Sequence, residues 1–514
     1  MAAWILAGDR RRPHDEVMRE AERAAAGFAA HGIGPGDVVA VCLRNDFAFL
    51  TASAGASLIG AYVTPVNWHN SADEAGYVFV NSGAKAIVIH ADLHRRMADA
   101  IPAGVLTLVV ETPDAIVAAY GLAPQSAVLP AGVTGWTDWL ARHAPRQGGR
   151  VAALGSMIYT SGTTGRPKGV RRAPTSEAQA EAAERNAAVI FGLGHADGPS
   201  AITCLLAGPL YHSTPNAFSL RFFAMGARLI IEPRFDAETL LRRIEQERVT
   251  HLLAVPTMFV RLLRLPAEVR ARYDLSSLRF VMHGAAPCPV HVKRAMIDWW
   301  GPIIHEHYGG TETGAVTYCN SQEWLAHPGT VGRALPSCDV RIIAEDGSDV
   351  AAGGTGEVIC RNRNFPDFTY HGDDDKRRRA DRQGLVTLGD VGYLDQDGYL
   401  YLCGRANDMV ISGGVNIYPA EIEAELHKMA GVADCAVFGI PDDEYGEKLC
   451  AVVQPIPGAV LTAAAVQAHL RERVAGYKVP RQVEFRAELP REDSGKIFKR
   501  KLRDPYWEGA GRRI

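Results

Sequence analysis

The segment Tyr159-Thr160-Ser161-Gly162-Thr163-Thr164-Gly165-Arg166-Pro167-Lys168-Gly169 gathers four aliphatic hydroxyls, three glycines and a lysine after the strand-like Ser156-Met157-Ile158. Glycines let backbone N–H groups face an anion. Hydroxyls donate hydrogen bonds, and Lys168 supplies a point charge, so the chemistry indicated is polyphosphate binding. It is not a Walker A loop. That pattern needs Gly-Lys-Ser/Thr, and here Pro167 precedes the lysine and Gly169 follows it. A second constellation, Tyr308-Gly309-Gly310-Thr311-Glu312-Thr313, follows the short strand-like Ile303-Ile304-His305. A carboxylate beside a polyphosphate needs a cation, and Mg²⁺ suits oxygen ligands, which makes Glu312 a candidate metal ligand. His305-Glu306-His307 suggests a second metal trio. A strand turns alternate residues to opposite faces, so Glu306 points away from both histidines and no metal role is assigned.

Four further stretches carry usable groups. His283-Gly284-Ala285-Ala286-Pro287 ends a strand-like run, and its small residues let a flat base approach the backbone. Leu388-Gly389-Asp390 offers a carboxylate able to accept two hydroxyl hydrogens. Pro209-Leu210-Tyr211-His212-Ser213-Thr214-Pro215 places a histidine in a short loop, and Leu489-Pro490-Arg491-Glu492-Asp493-Ser494-Gly495-Lys496-Ile497 places a lysine near the C-terminus.

In this order, over nearly the whole chain, the motifs closely resemble those of the adenylate-forming enzymes. That family includes acyl-CoA synthetases, 4-coumarate–CoA ligases, luciferases and nonribosomal-peptide adenylation domains. The resemblance implies that Thr160, Ser161, Gly162, Thr163, Thr164, Gly165 and Lys168 cradle ATP. It places Gly284, Ala285, Ala286 and Pro287 beside adenine, with Tyr308 stacked on the base. Thr311 would contact phosphate, Glu312 Mg²⁺, Asp390 the ribose hydroxyls, and Arg405 ribose and phosphate. His212 would lie near the substrate carboxylate, and Lys496 would stabilise charge as the acyl-phosphate bond forms. His283, Gly284, Gly309 and Gly310 would border the acid. Ser412, Gly413 and Gly414 would line a pantetheine tunnel after a domain rotation about Asn407, where relatives carry Asp or Lys.

The implied activity is a carboxylic acid–CoA ligase using ATP and CoA, through acyl-AMP and pyrophosphate. Relatives that activate α-amino acids carry an Asp in the His212 loop region, and no acidic residue occurs from Gly198 to Ile231. Acetate-activating relatives carry a Trp where Gly309 stands. An aryl (cinnamate-like) or medium-to-long-chain acid is therefore expected. An acyl-AMP ligase that loads a carrier protein is the same-fold alternative. A non-catalytic nucleotide-binding paralogue is a second, opposed by Glu312 and Lys496.

The elements that must position these groups follow from pattern and length. The chain has 514 residues, 47% apolar and 22% charged, enough for roughly three folding units. Its 51 glycines exceed average usage by about 15, as ligand-cradling loops require. From 38 to about 310, short apolar runs alternate with helical patterns, the signature of an α/β layer structure with largely parallel sheets. Phe47 to Trp68 carries no charge and reads as a buried helix leading into a strand. From about 335 to 403 a period of two predicts a small antiparallel β-barrel. The expected fold is a large N-terminal α/β domain, 1–404, with that β unit inside it, and a small mobile α+β domain, 405–514. With 55 basic and 58 acidic residues, charge favours neither nucleic acid nor anionic membrane as a partner. Lys376-Arg377-Arg378-Arg379 follows Asp373-Asp374-Asp375 and reads as a solvated loop. Nine cysteines without a Cys-x-x-Cys pair suit a reducing, cytoplasmic setting. No transmembrane segment is expected. No pattern encodes the oligomeric state, and a homodimer is left open.

Overall fold

The computed structural model describes residues 3–149, 151, 154–160, 166–174, 177–412, 415–442, 445–491 and 497–508. Its largest sheet has nine strands. Six run parallel, in the order Ile304–Gly310, Phe280–His283, His251–Ala254, Thr203–Leu206, Arg228–Ile231 and Trp4–Ala7. Antiparallel strands extend both edges: Gly314–Cys319 and Arg333–Ala334 on one side, Arg10–Pro13 on the other. A second sheet is wholly parallel, in the order Tyr62–Pro65, Val38–Cys42, Ala84–His90, Leu106–Val110 and Thr134–Gly135. Its inner strands are continuous apolar runs because helices cover both faces. The uncharged stretch forms the helix Phe47–Leu58 and then the strand Tyr62–Pro65, and most of that helix is buried.

The period-two region folds as a five-stranded antiparallel sheet. Cys338–Ile343, Gly356–Asn362 and Leu385–Leu394 are neighbours, with Asp381–Arg382 and Leu400–Arg405 also paired to the last. The strand order is open, so this is half a barrel. A small antiparallel sheet of Ile158–Thr160, Lys168–Arg172 and Phe368–Tyr370 joins it to the α/β layers.

Beyond Arg405 a separate five-stranded sheet begins with Val410–Ser412. Its two long strands, Val432–Asp442 and Gly446–Pro455, alternate between two cores. Val437, Ala451 and Val453 face Ile422, Leu426, Val466 and Leu470 of the helices Pro419–Leu426 and Ala463–Arg471. Phe438, Ile440 and Val452 face Leu502 of the helix Lys499–Trp507. Strict alternation is what a sheet covered on both sides requires.

The basic run differs from expectation. It lies in the helix Asp374–Ala380, where the Asp373 side chain accepts from the Lys376 N–H at 2.9 Å. Acidic residues in the first turn and arginines in the last suit the helix dipole, so the charges that suggested a solvated loop favour a helix. Among the described residues no helix is long and apolar enough to cross a membrane.

Candidate active site

A cleft of about 1480 Å³ opens at the C-terminal ends of the parallel strands of the nine-stranded sheet. In open α/β sheets that edge is where ligands bind. Thr160, Lys168, His212, Gly284, Ala285, Ala286, Gly309, Gly310, Thr311, Glu312, Asp390 and Arg405 all line it.

At one end, Thr160 and Lys168 lie on paired strands of the small sheet, with Thr160 opposite Lys168. The connecting Ser161, Gly162, Thr163, Thr164 and Gly165 lie outside the described residues. A strand follows this loop at once, whereas a Walker A loop opens a helix. Thr311 and Glu312 sit beyond the strand Ile304–Gly310. Arg172 donates from its guanidinium to the Thr311 carbonyl, and to the Glu312 carbonyl at 3.2 Å. It stacks on Phe365 at 4.0 Å. Burial lowers the Arg172 pKa to about 10, although Glu312 and Asp367 pull it back up. A half-buried cation is therefore held where it fixes the backbone of the Thr311–Glu312 turn. Tyr370 donates its hydroxyl to Glu312 Oε1 at 2.9 Å. Burial first, and then the Glu312 charge, raise the pKa of this phenol, so it stays a donor.

Where ribose is expected to bind, Asp390 and Arg405 face each other across paired strands, with Arg405 Nε 3.3 Å from Asp390 Oδ1. The Tyr308 hydroxyl donates to Asp390 Oδ2 at 2.7 Å. Tyr308 was expected against adenine. It is not among the residues lining the cleft; its ring is buried in the β layer with Val316 and Val331. It therefore orients Asp390 in this arrangement. Ala285 holds φ +67°, uncommon without glycine, in the loop expected beside adenine. Pro287 of that loop does not reach the cleft.

The side where the acid is expected is built on two glycines and a histidine. A Cβ on Gly284 would lie 2.7 Å from the His307 carbonyl oxygen, so only glycine lets His307 pack there and line the cleft. A Cβ on Gly309 would lie 2.0 Å from the Gly314 carbonyl oxygen. This glycine serves the close strand approach at the bulge between Tyr308 and Gly309. His212 occupies the N-cap position of the helix Ser213–Ala224 without a side-chain capping bond, and its loop is pinned by Asn45, whose side chain accepts from Leu210 N–H at 3.0 Å and donates to the Gly208 carbonyl at 3.0 Å.

His283 does not join the acid pocket. It pairs in register with Glu306, which turns both side chains to the face packed on the helix Val290–Trp300. There Glu306 Oε2 meets Lys293 Nζ at 2.5 Å and His283 Nε2 at 3.5 Å, and the His283 ring packs against Phe259. Burial, and then Lys293, keep His283 neutral. This ion pair also takes Glu306 out of any metal trio with His305 and His307.

Arg491, Phe498 and Lys501 reach the same cleft, and Arg491 is held by Asp434. Lys496 lies outside the described residues, as do Gly413 and Gly414, and the Asn407 side chain is likewise not described. Ser412 is paired with Gly446 and does not line the cleft. Arg172 and Tyr370 were not anticipated from sequence, and His307 was weighed only as part of a metal trio. The partners of all three are remote in the chain, and no local spacing marks these roles.

Comparison with known proteins gives the family. Residues 2–365 match the AMP-binding enzyme family and residues 421–496 its C-terminal domain. The chain is 34% identical over 490 residues to a feruloyl-CoA synthase of Amycolatopsis sp, covering 95% of this chain and 92% of that one. It is 32% identical over 484 residues to the indoleacetate–CoA ligase of Aromatoleum aromaticum, covering 94% and 91%. The crystal structure of ATP-bound MatB from Rhodopseudomonas palustris superimposes with a TM-score of 0.80 at 27% identity, covering 98% of this chain and 96% of that one. The chain belongs to the AMP-binding enzyme family, the adenylate-forming superfamily.

Proposed function

We propose that this protein is an ATP-dependent ligase that joins an aryl-substituted carboxylic acid to CoA. The observation that carries the reading is one cleft lined at once by Lys168 and Glu312, by the Asp390–Arg405 pair, and by His212. Those groups suit, in turn, polyphosphate, a ribose diol and a carboxylate. The volume exceeds what ATP alone needs. Phe191, Phe218, Leu253 and Met258 supply apolar wall for an aryl group. The relatives named for feruloyl and indoleacetate thioesters support the same substrate class.

In the first step an oxygen of the acid attacks the α-phosphorus and pyrophosphate leaves. In the second the CoA sulfur attacks the acyl carbon and AMP leaves with the bonding pair. His212 orients the acid carboxylate, and Asp390 holds the ribose so that the α-phosphate faces it. Lys496 stabilises the charge that builds at the reacting oxygens; Arg491 and Phe498, near it in sequence, line the cleft and support this role. Glu312 fits Mg²⁺, which favours one or two carboxylates with substrate phosphates. That ion would neutralise phosphate charge. Ser412, Gly413 and Gly414 would line the CoA path after rotation of residues 405–514 about Asn407.

The test is a panel of hydroxycinnamic, indolic, benzoic and straight-chain acids with ATP, Mg²⁺ and CoA, read by mass spectrometry. Acyl-CoA, AMP and pyrophosphate are expected, with ring-bearing acids preferred. Formation of ADP would overturn the ligase reading. Preference for straight-chain acids would overturn the substrate class.

A further inference from the structure

The cations of the run Lys376-Arg377-Arg378-Arg379 divide by direction. Arg377 is tied to the body of the protein, donating to the Phe368 carbonyl at 3.1 Å and lying 3.3 Å from Asp367 and Asp381. Arg378 is 70% exposed and pairs with Asp375. Lys376 and Arg379, three residues apart and so on one helix face, both line the cleft. Their neighbours there are Lys168, Asp373, Glu312 and Tyr370. Lys376 Nζ lies 4.0 Å from the centre of the Tyr370 ring, and the hydroxyl of that ring bonds Glu312. Lys168 Nζ lies 3.5 Å from Asp373, the residue that caps the helix. Burial lowers the Lys376 pKa while Glu312 and Asp373 raise it, as expected of a cation partly withdrawn from water.

Three cations thus meet two carboxylates at the end of the cleft where Glu312 stands. Resting on the reading above, we propose that Lys376 and Arg379, with Lys168, form a cationic clamp for the β- and γ-phosphates of ATP and for the departing pyrophosphate. When the bond between the α-phosphorus and the bridging oxygen breaks, that oxygen leaves with the electron pair and charge grows on the β-phosphate. Cations already lining the cleft stabilise that charge as it forms. AMP carries no β-phosphate and makes no use of the clamp.

The experiment uses the full chain with Lys376→Met and Arg379→Met, which keep the aliphatic stems, Lys376→Arg, which keeps the charge, and Arg378→Met as a surface control. Calorimetry with inorganic pyrophosphate, ATP and AMP, each with Mg²⁺, reads the clamp without needing the acid. Each Met variant should bind pyrophosphate and ATP about tenfold more weakly, the scale of one charge-assisted hydrogen bond. AMP affinity should stay within about twofold, and Lys376→Arg should recover most of the loss. Arg378→Met should match the wild type. Equal losses for AMP and pyrophosphate, or none for either, would overturn the clamp. If the wild type binds pyrophosphate through these residues yet adenylates no acid on the panel, the ligase reading falls and the clamp stands.

Discussion

Asp390→Ala tests the nucleotide end of the cleft most sharply. Asp390 is 8% exposed, accepts from Tyr308 at 2.7 Å and stands 3.3 Å from Arg405. A carboxylate has about four acceptor sites, so a ribose diol can be bound without displacing Tyr308. Two hydrogen bonds to a charged acceptor contribute about 1.5–3 kcal/mol each, or about 3–6 kcal/mol together. At about 1.4 kcal/mol per tenfold, alanine should weaken AMP by about 10²–10⁴-fold. The assay is calorimetry with AMP and with 2′,3′-dideoxy-AMP on wild type and variant. The wild type should prefer AMP strongly, and the variant should bind the two alike. The change also strands the buried Tyr308 hydroxyl, costing about 1–3 kcal/mol, so Tm should fall by a few degrees. A variant that still prefers AMP over the dideoxy compound by the wild-type factor would refute the ribose assignment, whatever its stability.

Other perturbations have equally definite outcomes. Lys496→Ala should slow acyl-AMP formation on the order of 10²–10³-fold yet leave thioester formation from supplied acyl-AMP nearly intact; equal loss in both half-reactions would contradict domain alternation. Gly309→Ala drives a Cβ to 2.0 Å from the Gly314 carbonyl, so it should lower stability by about 1–3 kcal/mol and raise the acid KM. Unchanged urea unfolding would count against the bulge argument. Burial lowers His251 to about 4 and His305 to about 3, and holds His283 well below its ordinary value. Unfolded histidines protonate near 6.5. Between about pH 6.5 and 4 the unfolded chain takes up protons that the folded chain refuses, so stability is full above that window and falls as pH drops. The slope is at most about 1.4 kcal/mol per pH unit for each histidine. A urea midpoint that stays flat from pH 7 to 5 would contradict this.

What the sequence made legible depended on how local the physical demand is. Alternating apolar runs and short turns are set by a few neighbouring residues, so the strands Leu106–Val110 and Arg228–Ile231 and the turn after the strand Ile304–Gly310 were readable. The side chains that hold those turns were not. Arg172 reaches the Thr311 carbonyl across 139 residues of chain, and Tyr370 reaches Glu312 across 58. Only the pairing of distant strands brings them together. His283 was misplaced for a related reason. Which face of a parallel strand meets the cleft is fixed by register with its neighbour, and His283 registers with the buried Glu306. The charged helix Asp374–Ala380 was read as a loop because its run of like charges outweighed its capping signals.

The central claim is that an oxygen of the acid attacks the α-phosphorus of ATP. It is tested most directly by turnover of an acid whose carboxylate carries two ¹⁸O atoms, with ATP, Mg²⁺ and CoA. The AMP released should carry one ¹⁸O and the pyrophosphate none. Unlabelled AMP, or label in pyrophosphate or phosphate, would contradict the account.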